Sequence, residues 1–217
     1  MNWKTKLLLL LLSVSLGCAQ PKRTAEDMLI AIKVNDLEGL RAVLDSGTSP
    51  NEKTKKGGTA LYSAAYYGRP EMVSLLLEKG AKLDLVNPVS GQTELHVAAM
   101  GGHSKVCQLL IAAGAKVNYT NDLSVLQIAT LSQHEDVVKI LLQAGADTEY
   151  TNDEIPNLKG LTALHMAASK KSLAIVKLLV EKGAKLAARH GKGENALEIA
   201  RRYKNVDIAN YLAKKMK

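Results

Sequence analysis

The side chains of this chain that could do chemistry are five histidines, two cysteines and a scatter of acids, and their spacing decides which reactions are open. A zinc hydrolase needs two histidines one helical turn apart with a glutamate between them, and a serine hydrolase needs its nucleophile on a Gly-x-Ser-x-Gly turn. A structural metal needs paired cysteines, and a phosphate cradle needs a glycine loop opening a helix. None of these patterns is present. Instead His96 and His165 each follow a threonine by three residues, and His103 and His134 each open an apolar run, so four histidines hold regular places; His190 alone stands free in a loop. Cys107, in Val106-Cys-Gln-Leu-Leu110, sits where a small apolar residue should face inward and reads as a buried hydrophobe. Asp153 and Glu154 share a loop with no rigid partner. The expectation is a chain with no catalytic residue, no metal ligand and no cofactor, and therefore not an enzyme.

The elements that place these residues repeat. Five phrases recur: Thr59-Ala-Leu-Tyr-Ser-Ala-Ala65, Thr93-Glu-Leu-His-Val-Ala-Ala99, Ser124-Val-Leu-Gln-Ile-Ala-Thr130, Thr162-Ala-Leu-His-Met-Ala-Ala168 and Asn195-Ala-Leu-Glu-Ile-Ala-Arg201, their first residues 34, 31, 38 and 33 apart. The leading Thr, Ser or Asn is placed to cap a helix by accepting from a first-turn N–H. Leu and Ala at spacing three then form a narrow apolar stripe, as at Leu126 and Ala129. A second helix with a wider stripe follows, for example Val137, Val138, Ile140, Leu141 and Leu142, and Gly80, Gly114, Gly145 and Gly183 end these helices in the left-handed conformation. Counting 33 back from Leu61, Ala64 and Gly80 reaches Met28, Ala31 and Gly47, a divergent first copy. Self-similarity at this period predicts a stacked solenoid.

These phrases resemble the ankyrin repeat. The resemblance implies an all-α solenoid of about six helix-turn-helix units joined by β-hairpin loops, spanning 24–217, with units at about 24–53, 54–87, 88–118, 119–156, 157–189 and 190–217. It also implies a non-enzymatic module that grips one protein partner with its concave face, where hairpin tips and first-helix ends meet. Carried onto this sequence, those positions are Lys55, Lys56, Tyr66 and Tyr67 in the second unit, Met100 in the third, and Leu123 and Leu131 in the fourth. The fifth contributes Leu161 and Lys170 and the sixth Arg202. Tyr66, Tyr67, Met100, Leu123, Leu131 and Leu161 are expected to form an apolar ridge with the basic residues around it. About five extra residues in the stretch 149–158, with Pro156, predict a loop that projects beyond its neighbours.

Ahead of the repeats, Met1-Asn-Trp-Lys-Thr-Lys6, the apolar run Leu7 to Leu16 and Gly17-Cys18-Ala19 have the order of a secretory signal. The run is too short for the about 20 residues that cross a bilayer. Cys18 after Leu16-Gly17 resembles the lipobox of bacterial lipoproteins, although Ser15 stands where that family prefers leucine; cleavage after Ala19 is the alternative. Residues 1–18 are thus read as a signal peptide with Cys18 as the lipidation site, and 19–23 as a flexible tether. Removing Lys4 and Lys6 lowers the net charge from +8 to +6, which suits an acidic protein or an anionic membrane surface.

The expected location is the periplasmic face of the bacterial outer membrane, or the soluble periplasm without the lipid. The expected chain is monomeric when free, meets the membrane only through its anchor and binds no nucleic acid. Two roles follow from this reading: inhibitor, as the immunity protein of a toxic effector, or periplasmic scaffold for an enzyme such as a catalase. A passive membrane-surface spacer is the remaining one. Cys18→Ser should move the protein from the membrane fraction to the soluble one on fractionation; equal membrane association of both forms would remove the lipid reading.

Overall fold

The computed structural model describes residues 23–217. The signal segment, Cys18 and residues 19–22 of the tether lie outside the described residues. Six helix pairs follow one another: α1 (Ala25–Lys33) and α2 (Leu37–Asp45), α3 (Ala60–Tyr66) and α4 (Pro70–Glu78), α5 (Glu94–Met100) and α6 (Ser104–Ala112). They continue with α7 (Val125–Leu131) and α8 (Glu135–Gln143), α9 (Ala163–Ser169) and α10 (Leu173–Glu181), and α11 (Ala196–Arg202) and α12 (Val206–Lys215). The first helices stack on one another in chain order, and so do the second helices, so the fold is the all-helical solenoid that the repeats predict.

Each helix starts and stops for a local reason. Thr59, Ser124 and Asn195 accept from the N–H three residues on, at 3.2, 3.2 and 3.0 Å. At the far ends Gly80 and Gly114 have φ of +83° and +97°, and a Cβ built there would meet nothing, so glycine is needed for its backbone conformation and not for space. The residue after each then donates back into the last turn, Ala81 to the Leu76 carbonyl and Ala115 to that of Leu110, both at 2.9 Å. One apolar cluster runs without a break from Ala25 to Leu212.

The connecting loops correct one expectation. Among the described residues no strand forms, and β pairing is confined to an isolated bridge between Thr120 and Ser124. Several loops turn back as hairpins do, closed by single backbone bonds such as Thr54 N–H to Gly58 O and Asn87 N–H to Gln92 O, both 2.9 Å. Side chains, not a ladder, join one loop to the next. Asn51 accepts from Lys82 N–H at 2.7 Å and donates to Gly80 O at 2.9 Å, and Asn118 repeats this with Asp147 N–H at 2.8 Å and Gly145 O at 3.1 Å.

The long stretch is held by turns of its own. Asn152 accepts from Glu154 N–H at 3.0 Å, Asp153 accepts from Gly160 N–H at 2.9 Å, and the loop curls so that Pro156 and Leu158 wall a groove beside α9. Asp153 is therefore a turn-forming carboxylate and not a free acid.

Ala64, Ala98, Ala129 and Ala167 are wholly buried along the first-helix stack. Ala129→Leu should cost about 1–3 kcal/mol by forcing packed backbones apart. Thermal or urea unfolding of the purified variant checks this; a melt superimposable on wild type would place Ala129 outside the tight interface.

Candidate protein-binding face

The candidate face is built by what holds the first turn of each first helix. In the fifth unit His165 Nε2 donates to Ala188 O at 2.9 Å, leaving Nδ1 to accept from Thr162 N–H and O–H at 3.1 and 2.9 Å. In the fourth unit Gln127 does the same work, accepting from Ser124 N–H at 3.0 Å and donating to Tyr150 O at 3.0 Å and Leu161 O at 2.7 Å. That last bond fixes the loop carrying Leu161. The second-helix histidines tie units together from the other end: His103 Nε2 lies 3.1 Å from Tyr66 O, and His134 Nε2 lies 3.0 Å from Met100 O. Both rings lie against turn glycines of the preceding unit, Gly68 and Gly102, where a Cβ would come within 2.4 and 2.6 Å of the ring.

Two grooves open side by side on this face. One, of about 310 Å³, is lined by Met100, Leu123, Ile128 and Leu131; the other, of about 360 Å³, runs from Leu131 past Leu161 and Met166 to Ile199 and Arg202. Leu131 belongs to both, so Met100, Leu123, Leu131, Leu161 and Arg202 lie along one continuous track. Tyr66 and Tyr67 line neither groove. They pack edge-to-face on each other with centroids 5.2 Å apart and stay 49% and 37% exposed at the end of α3. Lys55, Lys56 and Lys170 are exposed and also line neither; the Lys55 N–H donates to Glu26 in the first unit at 2.8 Å.

Sequence reasoning missed Ile128, Met166 and Ile199, which form groove floor. All three are the fifth residue of the recurring phrase, where Ser63 shows that a polar residue is accepted, and that apolar excess was the available signal. His190, which holds no place in the repeat, is nevertheless packed. The residue is 9% exposed, and its ring meets His165 edge-on at 5.6 Å and lies 3.2 Å from Glu194, which in turn pairs with Arg202 at 3.1 Å. Glu194, four residues after His190, was the clue.

Burial sets the protonation of the interior groups. His96 is pushed down to about 4 by burial, with Thr93 Oγ1 2.8 Å from its Nδ1, and burial likewise lowers His165. The Cys107 thiol is pushed up to about 12, which leaves it an inert hydrophobe. Glu94, the first residue of α5, is pushed up to about 7, first by burial and then by the nearby Asp84 charge; its Oε2 accepts from Asp84 N–H at 3.1 Å while Oε1 has no partner. Among the described residues no group of three or more His, Cys, Asp or Glu is placed to hold a metal, and no helix is long and apolar enough to cross a membrane.

A stack of helix pairs with an open track along its first helices defines a solenoid that presents one extended surface. The chain belongs to the ankyrin-repeat family: the family model for ankyrin repeats (3 copies) matches residues 28–121, 80–152 and 126–217. That family is a protein-binding one and typically non-enzymatic. A stretch of 41 residues is 56% identical to calmodulin-binding transcription activator 6 of Arabidopsis thaliana, covering 19% of this chain and 5% of that protein. The chain thus spans only a small part of that relative's length.

The buried carboxyl yields a pH prediction. Glu94 is raised in the fold, so its stabilising neutral form is complete below its ordinary value of 4.5 and is lost as pH rises through about 7. His96 is lowered and acts in the opposite sense, losing its contribution as pH falls from 6.5 through about 4. Glu94→Gln removes only the first effect. Its unfolding free energy should match wild type at about pH 4 and exceed it at about pH 8 by on the order of 1–3 kcal/mol. Identical stability at both pH values would show that the carboxylate is not penalised.

Proposed function

We propose that this chain is an exported, lipid-anchored binding module that captures one protein through its first-helix face, the concave side of the solenoid. The observation that carries the reading is the continuous track through Met100, Leu123, Leu131 and Leu161, apolar side chains left partly or largely open where stacking alone would accept polar ones. Desolvating such a track against a partner supplies most of the affinity, and the charges around it mainly tune the encounter. In this reading Cys18 holds the module at the periplasmic face of the outer membrane, the solenoid acts as a monomer, and the captured protein is silenced as a toxic effector or supported as a periplasmic enzyme such as a catalase. A gene for a toxin beside this one would favour the inhibitor.

The 41-residue likeness to a calmodulin-binding transcription activator covers little more than one repeat, so it carries no partner across. Leu131 is the sharpest test because it lines both grooves. Met100→Ala and Leu131→Ala should each weaken partner capture by about 1–3 kcal/mol. Pull-down from periplasmic extract, followed by titration of the captured protein against both variants, measures this. Undiminished affinity in both would move the binding surface to another side of the solenoid.

A further inference from the structure

Charge is distributed along the solenoid very unevenly. From residue 159 to the end, fourteen lysines and arginines stand against four acids, a net +10, while residues 23–158 carry twelve against seventeen, a net −5. The fourteen are all exposed, and only Arg189 and Arg202 have carboxylate partners among the described residues. Lys171 and Lys204 even occupy left-handed turns, φ 64° and 57°, at the position where the second and third units use Gly68 and Gly102. The first and fourth units place Asn35 and Gln133 there, φ 59° and 61°, so the turn accepts a side chain and in the two most basic units that side chain adds charge.

The second groove lies within this basic end. Its floor is aliphatic, made by Leu131, Leu161, Met166 and Ile199, and its rim carries Lys159, Lys192 and Arg202, with Lys170 adjoining at the end of α9. Glu194 is the acid beside the groove, and it is already engaged by His190 and Arg202. Resting on the concave-face reading above, we infer that this groove takes an acidic segment of the partner protein, anchored by an aliphatic side chain in the floor and flanked by Asp or Glu residues that meet Lys159, Lys170 and Lys192.

The shape of the site selects that occupant among polyanions. A bilayer is flat and leaves a recessed aliphatic floor unfilled. Single-stranded nucleic acid is usually held by aromatic platforms on which bases stack, and Tyr203, the aromatic residue lining this groove apart from its histidines, is covered by Arg202 at 5.0 Å. An acidic peptide fills both parts of the site. The surplus of positive potential at this end also speeds its encounter and gives that encounter a salt dependence.

The test uses the full-length protein and a fluorescein-labelled peptide of Asp, Glu and Leu, read by fluorescence anisotropy against a matched peptide of Asn, Gln and Leu. The acidic peptide should bind more tightly than the neutral one, and added salt should weaken it. The triple reversal Lys159→Glu, Lys170→Glu, Lys192→Glu should weaken it by at least about tenfold, while the equal reversal Lys105→Glu, Lys116→Glu, Lys139→Glu should change it by less than about threefold. All six lysines are exposed, and circular dichroism of both variants checks that they fold. Equal losses in the two variants, equal binding of the two peptides, or tighter binding of phosphatidylglycerol vesicles or an oligothymidylate would each overturn the inference. If the peptide fails while Leu131→Ala still lowers capture of the natural partner, the acidic segment is wrong and the concave face stands; if the peptide behaves as expected while capture ignores Leu131→Ala, the reverse holds.

Discussion

Close approach of consecutive first helices is the constraint on which the rest of this structure depends. Ala64 and Ala65, Ala98 and Ala99, Ala129, Ala167 and Ala168, and Ala200 are all completely buried, and their small side chains let backbones of neighbouring units come together. No helix pair here can hide its apolar stripe alone, so each unit is stable only as part of the stack. The same approach brings positions about a repeat apart into lateral register. His103 then reaches the carbonyl of Tyr66, and His134 that of Met100.

Close packing would leave polar groups stranded if the loops did not satisfy them. His165, Gln127 and Glu198 occupy the same place in three first helices and accept from the N–H of the capping residue at 3.1, 3.0 and 2.8 Å. Where the side chain still has a donor, as in His165 and Gln127, it secures the next loop; where it is a carboxylate, Glu198 takes Arg189 at 3.0 Å. The satisfaction is incomplete: among the described residues Arg69 Nε, His96 Nε2, Thr130 Oγ1 and Asn205 Oδ1 lack a partner, and so does one oxygen of the Glu94 carboxyl, for which protonation is the least unfavourable response to burial. These bonds also set the grooves, since Leu161 is positioned through its own carbonyl by Gln127.

Under the proposed function, this face would divide two physical tasks along the chain. The aliphatic track from Met100 to Ile199 offers area to be desolvated, and the charge asymmetry offers direction and rate. Arg202 stands where the two meet, paired with Glu194 and stacked over Tyr203, so its guanidinium is oriented before any partner arrives. Preorganised groups lose less freedom on binding, which favours affinity from a groove of modest size.

The helices, their order and their ends were legible from residues alone, because caps, apolar spacing and terminal glycines act over a few neighbours in sequence. Thr59 and Gly80 needed no distant partner to be read. The inertness of Cys107 was legible for the same reason, since its place in the stripe already directed it inward. What lay between units was not legible. The burial of His190 against His165, the use of Asp153 as a turn acceptor and the folding of Pro156 and Leu158 into a groove wall depend on loops from different units meeting in space. Sequence marked the first-helix ends as exposed and apolar, but it could not tell that Leu131 would join two grooves while Tyr66 and Tyr67 would pair with each other outside them. Local bonding determines a repeat; only the stacking of repeats decides which side chains share a surface, because that depends on distances across the stack that no single repeat contains.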